Sequence, residues 1–175
     1  MQQQTYGKEL PMIEKLIAEM IRYDAGDAAR IQHFIKVHDF SRTIGVLEGL
    51  DAHTLFILEA AAVVHDIGIH ISEEKYGSCA GPYQELEGPP IAEEMLARLG
   101  FPEEVIARVC YLVGHHHTYS DIDGADYQIL VEADFLVNLF EDNSPRSAVE
   151  HALGNIFKTE TGKRFCREML LPVSL

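Results

Sequence analysis

The sequence has few cysteines and few basic residues, and both shortages exclude classes of protein. Its three cysteines, Cys79, Cys110 and Cys166, are widely spaced and form no CxxC pair. A disulfide scaffold and a cysteine zinc site are therefore excluded. Lys and Arg number 14 against 28 Asp and Glu, which gives a net charge of −14. Nucleic-acid polymers and anionic membranes need a basic surface, so neither is expected as the main partner.

The sequence also lacks a signal peptide and an apolar run near the length of a membrane span, so we expect a cytoplasmic protein. No repeat or shift in composition divides the 175 residues, of which 47% are hydrophobic. We therefore expect one domain over residues 1–175. Helical periodicity without a convincing strand predicts an all-α bundle of about seven or eight helices. The terminal helices are the surface through which we expect a homodimer to form.

The stretch from Ala60 to Gly68 is almost wholly apolar but ends in His65 and Asp66. A buried, ionised carboxylate is costly unless it is paired, and a bound cation would pair it. Imidazole plus carboxylate suits Fe, Mn, Zn, Ni or Co better than Ca. Neighbouring helical residues point about 100° apart, so both reach one ion only where the helix ends, as Gly68 predicts. The alternative is a partly buried histidine beside a helix-terminal aspartate.

Two more apolar helices carry similar groups. His33 lies on the apolar face of a helix that we predict from Asp27 to about Gly49. Asp134 lies in the middle of an apolar helix and, like Asp66, calls for a cation. Arg30 and Lys36 flank His33 and are candidates for neutralising a substrate phosphate. The alternatives are a hydrogen-bonded core histidine and a solvated basic helix face.

Residues 68–86 read as a loop or short helical turn that covers the site. Glu87-Gly88-Pro89-Pro90 is expected to open the next helix, with its prolines in the first turn. Three consecutive histidines, 115–117, follow the helix after that one. At most one or two of them are expected to face inward.

The order of His33, the doublet His65-Asp66 and Asp134 on three helices resembles the HD-domain metal-dependent phosphohydrolases. The resemblance extends from about residue 30 to residue 141. It implies an HD-domain fold in which His33, His65, Asp66 and Asp134 ligate one metal ion. A second doublet, His38-Asp39, follows His33 too closely to be the family's doublet.

Some branches of this family hold two metal ions, bridged by the aspartate of the doublet. In the branch that resembles diadenosine-tetraphosphatases, the next helix opens with His-Gly-Pro, where this chain has Glu87-Gly88-Pro89. The resemblance thus implies Glu87 as a ligand, together with His116 or His115. The lysine that often follows the family's doublet is replaced here by Ile69.

The resemblance implies metal-dependent hydrolysis of a phosphoester of a small metabolite, a nucleotide in the leading interpretation, with one or two divalent ions. Asp66 would orient the attacking water, and His115, His116 or His117 would protonate the leaving group. Two alternatives belong to other classes. One is a di-iron oxygenase, and the other is a module that senses a nucleotide without turnover.

Overall fold

The protein is described here by a computed structural model, which covers residues 11–171. Within that range the chain forms helices and no strand, which confirms the all-α fold. The helices are α1 (Met12–Tyr23), α2 (Ala28–Leu47), α3 (Ala52–Val64), α4 (Ile69–Tyr76), α5 (Gly81–Leu99), α6 (Glu103–Val113), α7 (Ala125–Glu141), α8 (Arg146–Asn155) and α9 (Glu160–Leu170).

The region between α3 and α5, where the sequence predicted a loop or a short helical turn, contains an eight-residue helix. Residues 69–76 form α4, which adds a helix to the predicted seven or eight. α5 begins at Gly81 instead of Glu87, and Pro89 and Pro90 lie inside it. α5 begins early because Pro82 already occupies its first turn, where proline is favoured. In the sequence prediction, Pro89 and Pro90 have this role.

α3 is the central helix of the bundle and packs against α1, α2, α6 and α7. Its last five residues, Ala60 to Val64, are completely buried. The stretch Ala52–Tyr76 is long and apolar enough to cross a membrane, contrary to the expectation that no run approaches that length. In the most apolar 18 residues of this stretch, 56% is buried inside the protein, which is typical of the core helix of a bundle.

The turn between α3 and α4 lies directly against the backbone of α5. A Cβ atom at Gly68 would come within 2.8 Å of both the Gln84 carbonyl oxygen and the Gly88 nitrogen. Gly68 has φ −75°, so the contact, and not an unusual backbone angle, requires glycine here. Gly88 is similarly constrained, because its Cβ would lie 2.7 Å from a Val113 methyl group.

Replacement of Gly68 by alanine is expected to lower the free energy of unfolding by about 1–3 kcal/mol, because the backbone of α5 must move away. Urea denaturation measures the loss. Gly154→Ala is the matched control, since no atom lies within 4 Å of a Cβ at that position in α8. Alanine there should stabilise the helix slightly. Equal stability of the two variants would contradict the close contact at Gly68.

Candidate metal centre

His65 and Asp66 lie in the turn that follows α3. The helix ends at Val64, and two hydrogen bonds define the turn: the Ile67 nitrogen donates to the Val64 carbonyl and the Ile69 nitrogen to that of Asp66, each at 3.0 Å. The α-helical hydrogen-bonding pattern ends here, and the two neighbouring side chains reach the same space, with His65 Nε2 3.5 Å from Asp66 Oδ2. This is the helix ending that the sequence predicted.

Four side chains, from α2, α7 and this turn, converge around one point. His33 Nε2 lies 3.3 Å from His65 Nε2, 3.2 Å from Asp134 Oδ1 and 3.5 Å from Asp66 Oδ2. His65 Nε2 lies 3.5 Å from Asp66 Oδ2 and 3.6 Å from Asp134 Oδ1. We call these four residues, which are those the sequence proposed as a ligand set, the first cluster.

The donor atoms of the first cluster are spaced as metal ligands are. Nitrogen and oxygen ligands of zinc-like ions lie about 2.1 Å from the metal, so two of them at a tetrahedral angle are about 3.4 Å apart. The five separations that involve the Nε2 atom of His33 or His65 run from 3.2 Å to 3.6 Å. His65 is completely buried and Asp134 is 4% exposed. A mixed imidazole and carboxylate set in this setting fits a divalent transition metal.

The atoms of the cluster that face away from this point are hydrogen bonded. His33 Nδ1 lies 2.8 Å from Glu141 Oε2, and His65 Nδ1 lies 2.9 Å from the Ala62 carbonyl oxygen. Asn138 also donates to Asp134 Oδ1, the oxygen that faces the two histidines, at 2.8 Å. A proton held on Nδ1 by these acceptors leaves Nε2 of each histidine free to ligate. Sequence reasoning missed Glu141, which only the folded chain brings to His33.

Glu141→Ala is expected to weaken metal binding about 10- to 100-fold, because His33 loses the acceptor that fixes its ring. Glu141 also accepts a hydrogen bond from Lys36. Metal affinity is measured by competition with a chelator. Asp142→Asn is the control, since Asp142 lines the same cleft without bonding a ligand histidine. An affinity equal to that of the unmodified protein would contradict this role.

A second cluster shares Asp66 with the first and consists of Asp66, His116 and His117. His116 Nε2 lies 3.4 Å from Asp66 Oδ1, on the other oxygen of that carboxylate. His116 Nδ1 contacts the Val113 carbonyl oxygen at 2.8 Å. The Nε2 atoms of His116 and His117 are buried without a hydrogen-bond partner in residues 11–171. Buried imidazole nitrogens of this kind fit a metal ion better than an apolar core.

Charge in the two clusters is unevenly distributed. Burial disfavours the charged form of His65, but the carboxylates of Asp66 and Asp134 outweigh burial and raise its pKa to about 9. Burial, followed by the neighbouring His116, lowers the pKa of His117 to about 4. Burial also opposes ionisation of the two aspartates, but the surrounding histidines lower the pKa of both.

Two residues that the sequence predicted as ligands, Glu87 and His115, lie outside both clusters. Glu87 accepts hydrogen bonds from Lys75 at 2.6 Å and from the Tyr76 hydroxyl at 2.7 Å. Its carboxylate is therefore engaged with α4, and the geometry does not support it as a ligand. The His115 ring stacks on Tyr111 with centroids 4.2 Å apart, and its Nδ1 lies 2.7 Å from that residue's carbonyl oxygen.

A cleft of about 710 Å³ opens onto His33 and Asp66 and is also lined by Arg30 and Lys36. Asp66 is 24% exposed, so the first cluster can be reached from this side. Arg30 forms ion pairs with Glu73 at 2.7 Å and Asp27 at 3.3 Å, and contacts His70 Nδ1 at 2.8 Å. Lys36 is paired with Glu141. Both basic residues thus border the cleft, each beside carboxylates.

Fold and site together define an all-α protein with clustered histidine and aspartate side chains at the centre of its bundle. The sequence model of the HD domain matches residues 30–152. The chain belongs to the HD domain family.

One similar solved structure is the crystal structure of a predicted HD superfamily hydrolase from an uncultured Thermotogales bacterium. The two chains are 25% identical and superpose with a TM-score of 0.61. The alignment covers 91% of this chain and 83% of the other. The chain matches no curated protein. The family and the fold that the sequence predicted are therefore confirmed.

Proposed function

We propose that the protein hydrolyses a phosphoester of a small metabolite, with a nucleotide as the leading substrate. The family and the similar structure support a metal-dependent hydrolase in general. The observation that carries the finer proposal is the cleft, which joins the first cluster to Arg30 and Lys36. Its volume of about 710 Å³ lies in the range of small-molecule sites.

In this proposal His33, His65, Asp66 and Asp134 hold a divalent ion, and His116 and His117 with Asp66 form a second position. When bound, such an ion makes water more acidic, polarises a phosphoryl oxygen and stabilises developing negative charge. Residues of the chain itself orient the attacking water and bind the phosphate group. Asp66 lies at the border between cluster and cleft, where its carboxylate accepts a hydrogen bond from the attacking water and orients it.

Arg30 and Lys36 neutralise the phosphate group, since they are the basic residues on the cleft wall. Their present partners Glu73, Asp27 and Glu141 keep both side chains at that wall until a phosphate competes for them. An acidic protein can bind an anion in this way because the positive charge is local.

The test is phosphate release from the metal-loaded protein, with nucleoside monophosphates, cyclic nucleotides and dinucleoside polyphosphates as substrates. We expect phosphate release from at least one of these substrate classes, and we expect Asp66→Asn to abolish it. Oxygen consumption by an iron-loaded protein without phosphate release would replace the proposal by oxygenase chemistry. Saturable nucleotide binding without release would replace it by a sensing role.

A further inference from the structure

We propose that Glu85 is a positioning residue that holds His117 for a second metal ion, and that the first turns of α5 serve as its scaffold. This inference rests on the proposed metal site. It also departs from the expectation that α5 itself provides a ligand, because Glu87 is engaged with Lys75 and Tyr76.

The carboxylate of Glu85 accepts two hydrogen bonds from the segment that carries the histidines. The backbone nitrogen of His117 donates to Oε1 at 3.0 Å, and the Thr118 hydroxyl donates to the same oxygen at 3.0 Å. Hydrogen bonds to an ionised carboxylate are stronger than those between neutral groups. Glu85 therefore fixes the backbone at the point where the His117 side chain leaves it.

Gly81, one turn before Glu85 on α5, provides the space for the His117 ring. A Cβ atom at Gly81 would lie 2.8 Å from His117 Cγ and 3.0 Å from Cδ2. The ring thus lies directly on the backbone of α5. One helix turn determines both the backbone position of His117 and the plane of its imidazole.

A third contact to this segment comes from α7. The Tyr127 hydroxyl, at the start of α7, lies within hydrogen-bonding distance of the carbonyl oxygens of His115 and Thr118 and can donate to either of them. Residues 115–118 are therefore held by α5 and α7 together. This explains how a turn outside regular secondary structure presents two buried imidazole nitrogens toward Asp66.

The experiment titrates tag-free protein with Co²⁺, whose visible absorption reports its ligands, and measures cobalt per chain after dialysis. The unmodified protein is expected to bind two ions. Glu85→Ala should bind the second ion at least about tenfold more weakly and the first ion normally. Glu85→Gln should recover most of that loss, because its amide oxygen still accepts from His117 and Thr118. Glu87→Gln, two residues further along α5, is the matched control and should bind both ions.

The variant Gly81→Ala tests the position of the His117 ring separately from the stability of the protein. Alanine in place of glycine raises helix propensity, yet its methyl group pushes the His117 ring away. Weaker binding of the second Co²⁺ without a lower melting temperature is the expected result. Two ions bound equally well in Glu85→Ala and in the unmodified protein would overturn the inference and leave the metal site itself intact. A single ion in the unmodified protein would also overturn it, and no ion would overturn the proposed function as well.

Discussion

Asparagine in place of Asp66 is expected to abolish phosphate release and to weaken metal binding by more than about 100-fold. Loss of a hydrogen-bond partner of a ligand already lowers metal affinity about 10- to 100-fold, and Asp66 is itself a proposed ligand. Oδ2 lies 3.5 Å from the Nε2 atoms of His33 and His65, whereas Oδ1 lies 3.4 Å from that of His116. One substitution therefore removes a charged ligand from both clusters.

The volume of the side chain is unchanged in Asp66→Asn, so the helical fold should persist, as circular dichroism would show. Metal per chain is determined by elemental analysis on protein without an affinity tag. Asp39→Asn offers a matched control, because Asp39 also follows a histidine but lies outside both clusters. His38 of that doublet instead contacts Glu59 at 3.1 Å. Full metal content in Asp66→Asn would refute the ligand set.

Glu132→Ala is expected to lower the free energy of unfolding by about 3–5 kcal/mol, because buried hydrogen bonds lose their charged acceptor. Glu132 is completely buried in α7. It accepts hydrogen bonds from the backbone nitrogens of Lys158 and Thr159 at 2.5 Å and 2.9 Å, and from Gln128 at 2.8 Å. The Thr159 hydroxyl is a further donor. These bonds join α7 to the start of α9.

Urea denaturation measures this loss, which corresponds to a melting temperature lower by roughly 10 °C. Glu132→Gln keeps an acceptor oxygen and should lose less. Metal content below the melting temperature should stay unchanged in both variants, in contrast to Asp134→Ala two residues further along the same helix. A stable Glu132→Ala protein would show that solvent replaces the lost carboxylate.

Glu132 and Asp134 show how far sequence reasoning reaches. Both are carboxylates in the middle of an apolar helix, and both are buried. A buried carboxylate needs compensation at both positions, yet only Asp134 lies among histidines. Glu132 is satisfied by hydrogen bonds from residues 26 and 27 positions away in the chain. Local sequence does not contain those contacts.

The parts that could be predicted depend on short-range patterns. Apolar periodicity gives the helices, and it places His33 and Asp134 on their inward faces. The end of α3 beside Gly68 gives the convergence of His65 and Asp66. Tertiary contacts decide the rest: Glu87 is engaged by residues 11 and 12 positions earlier, and Glu141 reaches His33 across 108 residues.

The composition of α4 predicts low local stability at the edge of the cleft. Of its eight residues only Ser72 is buried, and no partner for the hydroxyl lies within residues 11–171. Contacts with Arg30 and Glu87 contribute to holding this helix in place. Helices with few buried apolar contacts open locally at low free-energy cost, so the amide protons of α4 should exchange with solvent before those of α3. Because Ile69 lines the cleft, local opening of α4 would displace one of the residues that border it.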